Sequence, residues 1–268
     1  MSRLPLLLLL AALTAAPLLF ATEAQTVQAF ERTVSRTIGY RYLLHLPQGY
    51  EAQSGRAWPL LVFLHGAGER GADPWLVAKH GPPKLLRSDS PASKGETAEA
   101  AARRATAARL LATEFIVISP QCSTGQKWDD EAVLALIEEV STRHRVDRQR
   151  LYLTGLSMGG FGTWSLALKH PAKFAAVAPI CGGGLAIDLI FGLREHKAAT
   201  QSLGFWVFHG AKDPVVLLNE SERLVEGLRK GGVKELRFTV YPEALHDSWT
   251  ESYANPDLYT WMLQHRRN

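Results

Sequence analysis

Apolar residues in this chain gather into short runs separated by longer stretches with helical spacing. Residues 59–64 (PLLVFL) and 115–119 (FIVIS) are unbroken runs rich in β-branched and aromatic side chains, as expected of strands covered on both faces. Residues 151–154, 175–180, 205–208 and Leu236–Tyr241 continue the series. Residues 40–46 alternate instead, and predict one strand of an early antiparallel hairpin. Between the runs, Asp130–Arg143, 159–170, Asn219–Lys230 and 256–266 read as amphipathic helices. Alternating strand and helix predicts an α/β architecture, a mostly parallel sheet with helices on both faces.

Two stretches break this alternation. Residues 87–109 (RSDSPASKGETAEAAARRATAAR) are polar, Ala-rich and almost free of large apolar side chains. They predict a surface insertion, part loop and part exposed helix, that supplies no core; a lid is the alternative. At the start, Arg3 precedes LPLLLLLAALTAAPLLF, with small residues up to Ala24. This predicts a secretory signal peptide over 1–24. A membrane span is the poorer reading, because the apolar run is only about 17 residues and is broken by Pro5 and Pro17. A single domain over 25–268 remains, secreted or periplasmic, with no stable membrane anchor.

Composition narrows the function. The 268 residues, 46% hydrophobic and 21% charged, suffice for one large core without staples. The net charge of +4 is scattered along the chain, with no basic stripe, so a nucleic-acid partner is not expected. No P-loop, HExxH or CxxC occurs, so neither a metal nor a nucleotide cofactor is expected. Gly66, Gly68 and Gly71 do satisfy GxGxxG after a strand, but Pro74, Pro82 and Pro83 follow where a dinucleotide fold needs its helix.

The chemistry centres on Gly155-Leu156-Ser157-Met158-Gly159. By itself GxSxG is a weak signal, but here a strand precedes it and a helix follows at once. That context turns the serine sharply out of the backbone and needs small neighbours two residues away. Serine is a poor nucleophile without a base, and the base needs an orienting carboxylate. In the expected chain order the acid follows the serine and the histidine comes last. Downstream of Asp213 stand His265, in a basic helix end, and His246, in the loop after the last strand; His246 is the candidate base. Asp213 ends the strand 205–208 in a turn bounded by Gly210 and Pro214, and is the candidate acid. Asp247 is too close in sequence to orient His246, and Glu220 and Glu222 fall in a helix. Candidate oxyanion donors are the N–H groups of Met158, after the nucleophile, and Ala67, in the glycine-rich loop 65–71. His65 fits a prop for that loop better than a base.

With these residues placed, the chain resembles the α/β-hydrolase superfamily. More narrowly it resembles its secreted predicted-peptidase and carboxylesterase branch, near dienelactone-hydrolase-like and feruloyl or acetylxylan esterase-type enzymes. LHGAGERG (64–71), HGPPKLL (80–86), SPQC (119–122), GLSMGGFGTW (155–164), PICGGG (179–184), FHGAKDPVV (208–216) and HDSWTESY (246–253) carry the resemblance. It covers nearly all of 35–265 and departs at the Ala-rich insertion. It implies an α/β-hydrolase fold, a Ser157–Asp213–His246 triad and hydrolysis of a small-molecule or carbohydrate-linked ester. A serine peptidase of the prolyl-oligopeptidase type is the alternative from the same chemistry, and a binding protein with a vestigial triad the alternative from another class. Trp128 and Trp249, in loops expected on the catalytic face, are candidate substrate contacts as much as core. In the superfamily's strand order two strands separate Cys122 from Cys181, roughly 14 Å. A disulfide spans about 6 Å between Cα atoms, so two unbridged buried thiols are expected.

Overall fold

The computed structural model describes residues 27–88 and 95–267; the expected signal peptide and residues 89–94 of the insertion lie outside them. Residues 27–37 carry no helix or strand. The compact unit begins at Ile38. Its elements run β1 (Arg41–His45), β2 (Trp58–Leu64), α1 (Gly81–Leu85), α2 (Ala98–Glu114), β3 (Ile116–Gln121), α3 (Asp130–Arg143), β4 (Val146–Leu156) and α4 (Met158–Lys169). They continue as β5 (Ala176–Ile180), α5 (Ala186–Glu195), α6 (Lys197–Ser202), β6 (Gly204–Gly210), α7 (Asn219–Lys230), β7 (Leu236–Tyr241), α8 (Trp249–Ala254) and α9 (Pro256–Leu263).

The strands form one sheet in the order β1-β3-β2-β4-β5-β6-β7. All neighbours are parallel except β1, which pairs antiparallel with β3. The early hairpin is therefore not formed: β1 lies at the sheet edge against β3, on the far side of β3 from β2. Its alternating pattern marks an edge strand half open to solvent, and such a pattern does not say which strand will be its neighbour.

Side-chain alternation along the strands feeds two separate cores. Leu60, Val62 and Leu64 of β2 face one core with Leu151 and Leu153 of β4, under α3, α4 and α7. Leu61 and Phe63 face the other with Tyr152 and Leu156, under α2, α8 and α9. The Ala-rich segment forms an exposed helix over its second half, as expected, but supplies one core residue: of its part of α2 (98–109) Ala107 is fully buried, and Leu111 just beyond the segment is buried as well. α2 packs against α9 in one cluster, Ala107 and Leu111 meeting the face that carries Leu258, Tyr259 and Met262. Arg104 is tied to Glu96 at 2.8 Å, a pair set mostly inside the protein.

Strand order reverses at β2 and β4: the chain leaves β2 toward β3 on one side, and leaves β4 toward β5 on the other. In open α/β sheets, ligands bind in the crevice above the carboxyl ends at such a switch point. The loop 65–71 and the turn at Ser157 both open there.

Candidate active site

Ser157 stands between the last residue of β4 and the first of α4, with φ 53° and ψ −116°. A non-glycine residue with positive φ is strained, and persists only where its surroundings hold it. Here close backbone packing does so. A Cβ at Gly159 would lie 1.9 Å from the Leu64 carbonyl oxygen, and one at Gly155 would lie 2.4 Å from the Gly159 oxygen. A Cβ at Gly160 would meet the Ile180 oxygen at 2.6 Å. The glycines flanking Ser157 therefore answer to the main chains of β2 and β5, and the turn is pressed between those strands. The Ser157 N–H donates to the Ile180 carbonyl at 3.0 Å.

His246 follows β7. Its Nε2 lies 2.9 Å from Ser157 Oγ, and its Nδ1 lies 2.7 Å from Asp213 Oδ2. With Nδ1–H donating to the carboxylate, Nε2 is left to accept the serine hydroxyl. Asp213, its side chain fully buried after β6, uses its other oxygen to accept the Val215 and Val216 N–H groups at 2.8 and 3.0 Å. Gly210 brings the two loops together, since a Cβ there would sit 2.2 Å from the Leu245 oxygen. His209 stands beside Asp213, 3.4 Å from its Oδ2, with its ring between Ser221 Oγ and the Val216 carbonyl at 2.8 Å each.

The loop after β2 lies against Ser157. A Cβ on Gly66 would come within 3.6 Å of Ser157 Cβ. Ala67 is the first residue of the short 3₁₀ turn Ala67–Glu69, as Met158 is of α4. First-turn N–H groups have no acceptor within their own helix, so both are free for a bound anion. His65 pins the loop: Nδ1–H donates to the Gly66 carbonyl at 2.5 Å, and Nε2 accepts the Cys122 N–H at 3.0 Å. Burial pushes the His65 pKa down to about 4, so the ring is neutral and both nitrogens serve this brace.

A cavity of about 710 Å³ opens beside Ser157 and Met158. Trp128, Phe161 and Leu185 form its apolar part; Asp130, Ser165, Lys169 and Asp188 form a polar end. Lys169 serves both acids there, its Nζ 3.2 Å from Asp130 Oδ2 and 3.7 Å from Asp188 Oδ2, and Asp130 also accepts from Ser165 Oγ at 2.7 Å. Trp128 is wall and brace at once, since its Nε1–H donates to the His65 carbonyl at 3.2 Å. Trp249 does not line this cavity. Its ring stands 5.2 Å from that of His246, edge-on, and it faces a second cavity of about 530 Å³ with His80 and Arg103.

Cys122 and Cys181 are free and buried, at the ends of strands with β2 and β4 between them. Burial raises both thiols, Cys122 to about 12, so neither is a thiolate at neutral pH. Among the described residues, the group close enough to share a metal ion is Cys181 with Asp213 and His246, whose donor atoms lie within 4.8 Å of one another. Two of the three are already bonded to each other. His209 and Glu69 belong to the site but escaped the sequence reading; FHGAKD and GERG hold them beside the residues that were singled out.

Residues 99–257 match the model of the Dienelactone hydrolase family. The chain is 28% identical over 154 residues to the bifunctional acetylxylan esterase/xylanase XynS20E of Neocallimastix patriciarum, a match covering 55% of this chain and 21% of that protein. It is 26% identical over 193 residues to poly(3-hydroxyalkanoate) depolymerase C of Paucimonas lemoignei, covering 64% of this chain and 39% of that one. The chain thus spans well under half the length of these curated relatives. Among solved structures, a thermostable esterase superposes with a TM-score of 0.65 at 29% identity, over 84% of this chain and 59% of that one.

Proposed function

The chain belongs to the dienelactone hydrolase family, and on that footing we propose that it hydrolyses carboxylic esters through an acyl-enzyme on Ser157. The observation that carries this is the unbroken relay from Asp213 through His246 to Ser157, at 2.7 and 2.9 Å. His246 Nε2 takes the Ser157 proton as Oγ attacks the ester carbonyl, and Asp213 stabilises the imidazolium that forms. The Met158 and Ala67 N–H groups receive the charge that develops on the carbonyl oxygen, where preorganised donors act most strongly. His246 then protonates the leaving alcohol, and water repeats the sequence on the acyl-enzyme.

The cavity's apolar wall and its polar lining, in which Lys127, Lys169 and Arg223 offset Asp130, Asp188 and Glu220, suit a neutral ester with one apolar and one hydroxyl-bearing half, including a carbohydrate-linked one. We propose an exported enzyme, from the leader-like run over 1–24; among the described residues no helix is long and apolar enough to cross a membrane. The test is p-nitrophenyl acetate with wild type and Ser157→Ala, together with mass analysis after a fluorophosphonate. A burst of p-nitrophenol and a single adduct on Ser157 are expected. Turnover persisting within tenfold in Ser157→Ala would sink the proposal. Equal rates on matched ester and amide substrates would favour the peptidase alternative, and no turnover on either would favour a binding protein.

A further inference from the structure

Glu69 is a carboxylate only 4% exposed, sitting in the loop over the nucleophile yet taking no part in the proton relay. Burial raises its pKa, against the Gly66 N–H and Lys79, which lower it. Its contacts are specific. Oε2 accepts the Gly66 N–H at 3.0 Å, and its carbonyl accepts from Gln121 Nε2 at 2.9 Å. The same Gln121 nitrogen donates to the Asp73 carbonyl at 2.7 Å, so the far end of the loop is fastened to β3 as well. Oε1 lies 3.8 Å from Nε2 of His80, whose pKa is pushed down to about 4 by burial and by Lys79 and Lys84.

A side chain reaching back to the N–H before its own turn is a capping box, normally a device for starting a helix. Here no helix follows, because the turn ends at Glu69 and Arg70 is already extended. What is capped is the donor loop itself. Gly66 lies against the nucleophile, within 3.6 Å of Ser157 Cβ for an added Cβ, so its N–H could otherwise turn toward the reacting carbonyl. With that N–H occupied, the next one along the chain, that of Ala67, is the one left free.

We propose that Glu69 is the positioning residue of the oxyanion hole: by holding the Gly66 N–H it fixes the loop so that the Ala67 N–H is aimed at the developing oxyanion. This rests on the esterase reading above, and Ser157→Ala tests that reading separately. The effect acts through the loop, so its ceiling is the loss of one oxyanion donor, on the order of 10²–10³ in kcat. For Glu69→Ala a fall in kcat of about 10- to 100-fold with KM within about threefold is expected. Glu69→Gln keeps an oxygen for Gly66 and should stay within about fivefold of wild type. Glu69→Asp keeps the carboxyl group but is a methylene too short, and should behave like the alanine variant.

Rates are to be normalised to sites counted by exhaustive fluorophosphonate labelling, so that misfolded protein does not enter. The deciding readout is affinity for phenylboronic acid, which binds the serine as a tetrahedral oxyanion. It should weaken in Glu69→Ala and Glu69→Asp by the same factor as kcat, while inhibition by the carboxylic acid product stays unchanged. Unchanged boronate affinity in both variants would overturn the proposal and leave Glu69 as a brace for folding alone. Should Glu69→Ala not fold, the Asp and Gln pair decides: equal boronate affinity in those two would overturn it equally.

Discussion

Replacing Asp213 with asparagine should disable the site while leaving the fold in place, and the hydrogen bonds say why. One carboxylate oxygen accepts two N–H groups, from Val215 and Val216, while the other accepts Nδ1–H of His246. Asparagine has one acceptor oxygen and one NH₂ in nearly the same shape. The two fixed backbone donors claim the oxygen, so the NH₂ is turned toward His246. Facing a donor, Nδ1 must become an acceptor, and the imidazole proton moves to Nε2. Nε2–H cannot take a proton from Ser157. The base is present, in place, and in the wrong tautomer. A loss of about 10⁴ in kcat follows, equivalent to about 5.4 kcal/mol of barrier. The assay is kcat on p-nitrophenyl acetate alongside a thermal melt of both proteins. A loss under tenfold would refute the assignment of Asp213, as would a larger loss in Asp247→Asn.

Gly159→Ala places a methyl 1.9 Å from the Leu64 oxygen, where only backbone can give way, so a drop in melting temperature with lost activity is expected; a wild-type melt would refute the packing argument. His65 and His80 both have folded pKa values near 4, below the unfolded 6.5, so the unfolded chain binds more protons between these values. Their contribution to stability is complete above pH 6.5 and lost toward pH 4, opposed by Glu69, whose raised pKa works the other way. The melting temperature should fall across that window, less steeply in His80→Asn, and a flat profile would contradict the shifts. Leu111→Ala should cost about 2–5 kcal/mol in denaturant unfolding, as for any fully buried leucine; a cost under about 0.5 kcal/mol would put α2 outside the core.

The parts of this molecule most legible in the sequence are those where one residue type has one physical use. Buried strands such as 59–64 stand out because an apolar run bounded by turn residues has few other places to go. Ser157, Asp213 and His246 could be singled out because each follows a strand at the same end of a parallel sheet, and the structure brings the three together. The partner of β1 was not legible, since alternation reports which face is wet and says nothing of the neighbour. Nor was α5, whose Ile187, Ile190 and Phe191 are about half exposed, so the apolar stripe that marks a surface helix points the wrong way. Trp249, read as a substrate contact as much as core from its place in a loop expected on the catalytic face, is the first residue of α8 and lines the second cavity, its ring edge-on to that of His246.

The Ala-rich segment departs from its reading at one residue, Ala107, and the position of its helix bears on what it can do. Core contribution was judged from side-chain size, whereas a single small residue on the inner face of a helix is buried as fully as a large one. Ala107 is as buried as Leu111, and Arg103 reaches across to Asn255 and Asp257 at the start of α9. Of its described residues, those that line a cavity, among them Glu96, Arg103 and Arg104, line the one behind Trp249. None lines the cavity at Ser157. A lid must reach the mouth it closes, and α2 packs against α8 and α9, with its cavity-lining residues beside Trp249. Substitutions on its exposed face should therefore leave the preference between small and bulky esters unchanged. Arg103→Ala, measured as the ratio of kcat/KM on p-nitrophenyl acetate and on a feruloyl ester, should stay within about twofold of wild type. A shift of tenfold toward the bulky ester would show that access to Ser157 passes by this helix after all.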